Sequence, residues 1–328
     1  MTSSLTRRQV LLGAFLAALQ SQLPVFARQA DWPTRPVRLV VPGQPGGGSD
    51  IFGRLMGASL QQSLGQPVVI ENRPGANSLI GNDVVAKAAP DGYTWLISPS
   101  SAIAINPIIQ PKMPYDTLKD LLPVAQVGAA GILLLAPPQS GLNSLADLVA
   151  AVKAKPDMMY GTWGNGSTGH LVMESIIAHY GLKMSHVPFN DSSQVVTALL
   201  SNQIPVAFAD VSSPVPHVRA GNIAALGCTG AARGPALPDL PTLAEQGFDF
   251  KAAGWYGIFA PAGTDVAIVD RMNAQINQAL ADPAVIARFA ELNMPKPALM
   301  SASEFGKTVR EDVALWQGLA RRAGLGAA

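Results

Sequence analysis

Two successive series of short β-rich runs, each run separated from the next by an amphipathic helical stretch, constrain this chain more than any other feature. Parallel strands need crossovers, and helices supply them, so such a series reads as a mainly parallel sheet covered by helices. The first series predicts strands at Val37–Val41, 68–70 and 94–98, with helices at 50–64 and 79–88. Helix 50–64 carries Ile51, Phe52, Leu55, Met56 and Leu60 on one face, with Ser49 or Asp50 to cap it and Gly65 to stop it. A second series opens near Val124, with strands at 132–136, 158–162, 183–187 and 206–209. Its helices are 145–154, with Ser144 and Asp147 as a capping box, 168–180 and 192–201. A turn-rich stretch, 233–241, interrupts the pattern before a strand at 255–260 and helices at 266–281, 284–292 and 303–320. Two α/β lobes are predicted, with ligands beyond the carboxyl ends of the strands.

Composition narrows the function classes. With 48% hydrophobic and 14% charged residues among 328, the chain buries a large core. Its 23 Lys+Arg and 22 Asp+Glu fall without runs, so nothing marks a nucleic-acid or anionic-lipid partner. A single cysteine, Cys228, excludes an internal disulfide and a thiolate zinc cluster, and its apolar setting predicts a buried strand. At the N-terminus Arg7-Arg8 precede the apolar run from Val10 to Leu19, and Val25-Phe26-Ala27 offers a cleavage site. This is a bacterial signal peptide cleaved near Ala27, with an arginine pair resembling a twin-arginine signal; a soluble periplasmic protein is expected. The run is about half a bilayer span, and no cysteine follows the cleavage site to carry a lipid.

The chemistry is expected in three strand-to-helix loops. The first is Pro45 followed by Gly46, Gly47, Gly48, Ser49 and Asp50, where glycines bring backbone N–H groups close to an anion at a helix N-terminus. Asp50 is expected to cap the helix, because aimed inward it would repel such a ligand. The second runs from Thr162 and Trp163 through Gly164, Asn165, Gly166, Ser167, Thr168 and Gly169 to His170. It matches G-x-G-x-x-G with Asp191 about twenty residues on, which keeps open an exported dinucleotide- or flavin-dependent oxidoreductase. A dinucleotide loop, however, normally opens its domain, and here two strands and a helix precede it. The third loop offers the hydroxyls of Ser98, Ser100 and Ser101, and Asp210 ends a strand where it either meets a ligand or caps the turn at Ser213. No G-x-S-x-G elbow, H-E-x-x-H or G-K-[ST] loop is present. The histidines, His170, His179, His186 and His217, are not spaced as metal ligands, so no catalytic residue, metal or cofactor is expected.

Ordered matches along the mature chain carry a family resemblance. They include Trp32-Pro33, Pro45 to Asp50, Glu71-Asn72-Arg73-Pro74-Gly75-Ala76, Ala88-Ala89-Pro90-Asp91-Gly92-Tyr93, Gly164 to Ser167, Ala236-Leu237-Pro238-Asp239-Leu240-Pro241 and Phe259-Ala260-Pro261-Ala262-Gly263-Thr264. The sequence resembles the Bug-family extracytoplasmic receptors of tripartite tricarboxylate transporters. The resemblance implies a type II periplasmic-binding-protein fold, α/β, with two lobes around a cleft. It also implies a small organic carboxylate as ligand, gripped by Gly46 to Asp50 and Thr162 to His170, and membrane subunits of the transporter as partners to a monomeric receptor. The lobes are expected at 28–126 plus 255–328 and at 127–254, hinged near 124–127 and 255–260. Trp163, Phe189-Asn190-Asp191 and Pro205 depart from the family pattern. Trp163 and Phe189 are expected to flatten one wall toward an aromatic or longer carboxylate.

Overall fold

The computed structural model describes residues 32–110 and 112–322. Strand β1 (Val37–Val41) lies between β2 (Val68–Asn72) and β3 (Thr94–Pro99), parallel to both. Strand β10 (Gly254–Pro261) pairs antiparallel with β3 on one edge and with β4 (Leu121–Ala130) on the other, giving the order β2-β1-β3-β10-β4. The second sheet repeats this plan. In it β6 (Met158–Thr162) pairs parallel with β7 (Met184–Pro188) and β8 (Ala207–Ala209). Strand β5 (Leu133–Ala136) is antiparallel to β8 and to β9 (Ala224–Cys228), giving β7-β6-β8-β5-β9. Each sheet therefore has one reversed strand, fourth in order. Two mainly parallel sheets flanked by helices make the expected two-lobed architecture.

The helices bury the faces their periodicity marks. Helix α1 (Gly48–Leu64) buries Phe52, Met56 and Leu60, and Gly53 lets it settle on β1, since a Cβ there would lie 2.9 Å from a Val41 methyl. Helices α2 (Leu79–Ala86), α3 (Leu145–Ala154), α4 (Thr168–Tyr180) and α5 (Ser192–Leu200) follow. Ser144, Ser167 and Asp191 cap α3, α4 and α5 through their side chains, each accepting an N–H of the first turn. Helices α6 (Val266–Ala281), α7 (Pro283–Glu291) and α8 (Ala302–Arg322) complete the chain. Helix α8 straps the lobes together: it packs on β4 and on α4, and its Trp316 and Ala320 are buried in the core of the second sheet. No helix of the described residues is long and apolar enough to cross a membrane.

The segments expected to hinge lie inside β4 and β10, hydrogen bonded to one another; the chain passes between sheets at Gly131-Ile132 and at 251–253. Gly131 makes the first passage tight, since a side chain there would overlap the Thr229 carbonyl. After β3, Ser101–Ile105 forms a wide helical turn that runs into Asn106–Ile109, and Ala102 to Ile105 are wholly buried.

Candidate ligand-binding cleft

The first glycine loop follows β1 and starts α1 two residues earlier than its capping residues predict. Gly47 is the N-cap, without a side-chain cap, and Ser49 and Asp50 lie inside the first turn. Asp50 folds back: its carboxylate accepts from the Gly46 N–H at 3.0 Å, from Arg54 Nε at 2.9 Å and from Asn72 Nδ2 at 2.9 Å. Burial works to raise its pKa, but these bonds together hold it below the usual carboxylate range. It is thus engaged by its own loop from inside the first turn, and not as the N-cap expected of it. Gly46 takes the left-handed conformation, φ +82°, with open space beside it.

What faces the glycines is a carboxylate of the opposite sheet. Asp191, the N-cap of α5, accepts from Ser193 N–H at 3.1 Å and also receives the Gln44 N–H. A side chain at Gly47 would overlap its carboxylate, and one at Gly43 would come within 2.9 Å of it. Asp210 reaches the same place. Its Oδ1 accepts from Ser212 N–H, Ser212 hydroxyl and Ser213 N–H at 3.0, 3.0 and 3.1 Å, which is the expected capping role. Its Oδ2 faces Gly48, where a Cβ would lie 2.7 Å away and would also overlap the Tyr256 hydroxyl. Burial and then Asp210 push the Asp191 pKa up to about 6. The same two aspartates, after burial, raise the Tyr256 phenol.

The second glycine loop is built differently. Gly166, φ +71°, is pressed against the Ile109 side chain so closely that a Cβ would overlap it, and a side chain at Gly164 would touch Asn77. The Gly166 N–H donates to His170 Nδ1 at 3.0 Å, and Ser167 Oγ accepts from His170 N–H at 3.2 Å. Thr162 Oγ1 donates to the Gly164 carbonyl at 3.1 Å and accepts from His186 Nε2 at 2.7 Å. His186 stacks on His170 with ring centroids 4.1 Å apart. Burial and then His170 lower the His186 pKa to about 4, and burial lowers that of His170 against the pull of Glu174. The space beside Gly166 and Gly169 is thus taken by the protein's own side chains, which counts against a dinucleotide reading of this loop.

Two adjoining cavities run between the lobes and share Pro99, Trp163, Asp210 and Tyr256. One is lined by Ser100, Ser101, Thr168 and Trp255 among others; the second by Gly48, Ser49, Asn77 and Asp191 among others. Of the residues expected in the site, the structure gathers Gly48, Ser49, Ser100, Ser101, Trp163 and Asp210 on these walls. Gly46 and Gly47 form the turn behind them. Thr162, Gly166, Ser167 and His170 support the second loop from within, and Asn165 is exposed outside the lining. Ser98 points into the first lobe, its hydroxyl donating to Asn82 Oδ1 at 3.0 Å. Phe189 packs over Gly161, where the glycine leaves a gap, and lines neither cavity, so only Trp163 makes the expected aromatic wall. Sequence reasoning did not place Asn77, Asp191 or Tyr256 here. Asp191 was visible as a cap at the end of a strand; Asn77 and Tyr256 carried no local signal.

A cleft between two such sheets, with loops from the strand ends of both on its walls, defines a periplasmic-type solute-binding protein. Residues 52–325 match the TctC family, described as "Tripartite tricarboxylate transporter family receptor", and the chain belongs to that family. It is 35% identical over 324 residues to Protein BugT of Bordetella pertussis, covering 98% of each chain. Its fold is similar to R. palustris Rpa4515 solved with adipate: TM-score 0.87, 32% identity, 90% of this chain and 99% of that one. MatC from Rhodopseudomonas palustris, solved with bound malate, matches with TM-score 0.83 and 30% identity over 88% of this chain and 99% of that one.

Proposed function

We propose that this protein is an exported receptor that closes on a small organic carboxylate between its lobes and hands it to membrane subunits of a tripartite tricarboxylate transporter. It is a binding protein and forms no covalent intermediate. The observation that carries this reading is the pair of cavities between the lobes, walled by Gly48 and Ser49 from one sheet and by Trp163, Thr168 and Asp210 from the other. The adipate and malate bound by structural relatives support a carboxylate of that size. Residues 32–130 and 254–322 make one lobe, 131–253 the other, and motion about the two passages opens the cleft. Export through a signal peptide at 1–27 belongs to the same proposal and lies outside the described residues.

A thermal-shift panel of mono-, di- and tricarboxylates tests it, since a ligand near 1,000 Kd adds about 4 kcal/mol of stability. At least one carboxylate raises the melting temperature, and Ser49→Ala weakens its binding by about 1–3 kcal/mol in calorimetry. A panel in which no carboxylate shifts the melting temperature refutes the reading.

A further inference from the structure

Resting on the receptor reading, we infer that the cleft selects a carboxylate bearing a protonated amine, with Asp210 and Asp191 meeting the ammonium group, rather than a plain di- or tricarboxylate. Among the described residues, the charged side chains lining the two cavities are Asp191 and Asp210, and no lysine or arginine lines either. Arg54, the base nearest the first loop in sequence, is committed to Asp50 and Asn72. A ligand carboxylate at this end would therefore meet two buried acids with no counter-charge.

The two acids are not equivalent, and neither is spent on the fold alone. Asp210 satisfies its turn entirely through Oδ1, which leaves Oδ2 directed at Gly48 and the Tyr256 hydroxyl. Asp191 already takes the Gln44 N–H of the first glycine loop, so one amide that a ligand carboxylate could use there is met by the protein's own anion. An ammonium placed between these carboxylates gains charge pairing and charge-assisted hydrogen bonds.

Beyond the shared Asp210, the cavity that holds Ser101 and Thr168 adds groups of the opposite character. Thr168 opens the 13-residue helix α4, whose N-terminus favours negative charge. Ser101, only 1% exposed, lines the same cavity, and its Oγ has no hydrogen-bond partner among the described residues. A buried hydroxyl without a partner is costly to leave unmet, and a ligand carboxylate supplies the acceptor. One set of groups thus fits an anion and the other a cation, which is the charge pattern of a zwitterion.

The test is calorimetry on the mature chain with matched pairs: succinate against aspartate, glutarate against glutamate, adipate against 6-aminohexanoate and 2-aminoadipate. The amine-bearing member of at least one pair binds tenfold or more tightly than its plain partner. Asp210→Asn, and independently Asp191→Asn, cut that ratio by tenfold or more and tighten the plain acid, because repulsion is relieved. Unchanged circular dichroism and melting temperatures that still rise with ligand show that the variants fold. Plain acids that bind as tightly as the amines, or variants that weaken both members of a pair alike, overturn this inference while leaving a carboxylate receptor intact. Failure of every compound to bind overturns both readings together.

Discussion

The two glycine loops occupy equivalent places, each following a central strand and opening a helix, yet they meet their surroundings in opposite ways. At the first, Gly46 faces open space, while Gly47 and Gly48 leave room for Asp191, Asp210 and Tyr256 arriving from elsewhere in the chain. At the second, Gly166 is filled by Ile109, Gly169 by Trp163 and Phe208, and the backbone is tied to His170 and, through Thr162, to His186. The same residue type therefore serves a close approach between lobes in one loop and dense local packing in the other. Glycine content marks where the backbone is approached; the neighbour decides the purpose.

This contrast can be broken most sharply by adding a methyl group to each loop. Gly166→Ala combines a left-handed φ with overlap against Ile109 and destabilises by about 3–4 kcal/mol in chemical denaturation. Gly46→Ala meets only the backbone strain and loses about 1–2 kcal/mol. Equal losses would erase the distinction between an open and a filled loop.

The acids at the first loop give the next largest effect. Asp191 has a folded pKa of about 6, above its ordinary 3.8, so the folded state binds its proton more tightly than the unfolded chain does. Its stabilising contribution is complete below about pH 3.8 and is lost as pH rises through 6. Asp191→Asn removes that loss and keeps an N-cap, so the variant gains about 2 kcal/mol over the native chain at pH 7.5 and little at pH 4. Denaturation midpoints at the two pH values decide it.

The second loop titrates in the reverse sense. His186 is held neutral, with a pKa of about 4 against 6.5, so stability is present above pH 6.5 and lost as pH falls through 4. Breaking its link to the loop with Thr162→Val leaves the Gly164 carbonyl without this donor and costs about 1–1.5 kcal/mol at pH 7. The smallest effect falls on Arg54→Ala. Arg54 is 55% exposed, so its bond to Asp50 is worth about 0.5 kcal/mol in urea denaturation.

Much of this was legible in the chain because it is written in short-range pattern. The strands Val37–Val41 and Met158–Thr162, the helices Leu145–Ala154, Thr168–Tyr180 and Val266–Ala281, and the cap at Ser144 depend on residues within a few positions of one another. Asp50 was legible only in part: two of its partners, Gly46 and Arg54, stand four residues away on either side, but it lies inside the first turn and not at the N-cap. Phe189 was misplaced for the opposite reason. Its side chain follows the gap over Gly161, a residue of another strand, which no local signal reveals.

By itself, then, the amino-acid order determined the two α/β series, the loops that open their helices and the family to which they belong, since periodicity, caps and turn residues act over one or two helical turns. Which carboxylates face the first glycines was decided only in three dimensions. Gln44 meets Asp191, and Gly48 meets Asp210, both residues of the second series of strands. Such pairs form only when two separately assembled sheets dock, and the side chains that meet there are chosen by the packing of the lobes and by the strap of α8 across them.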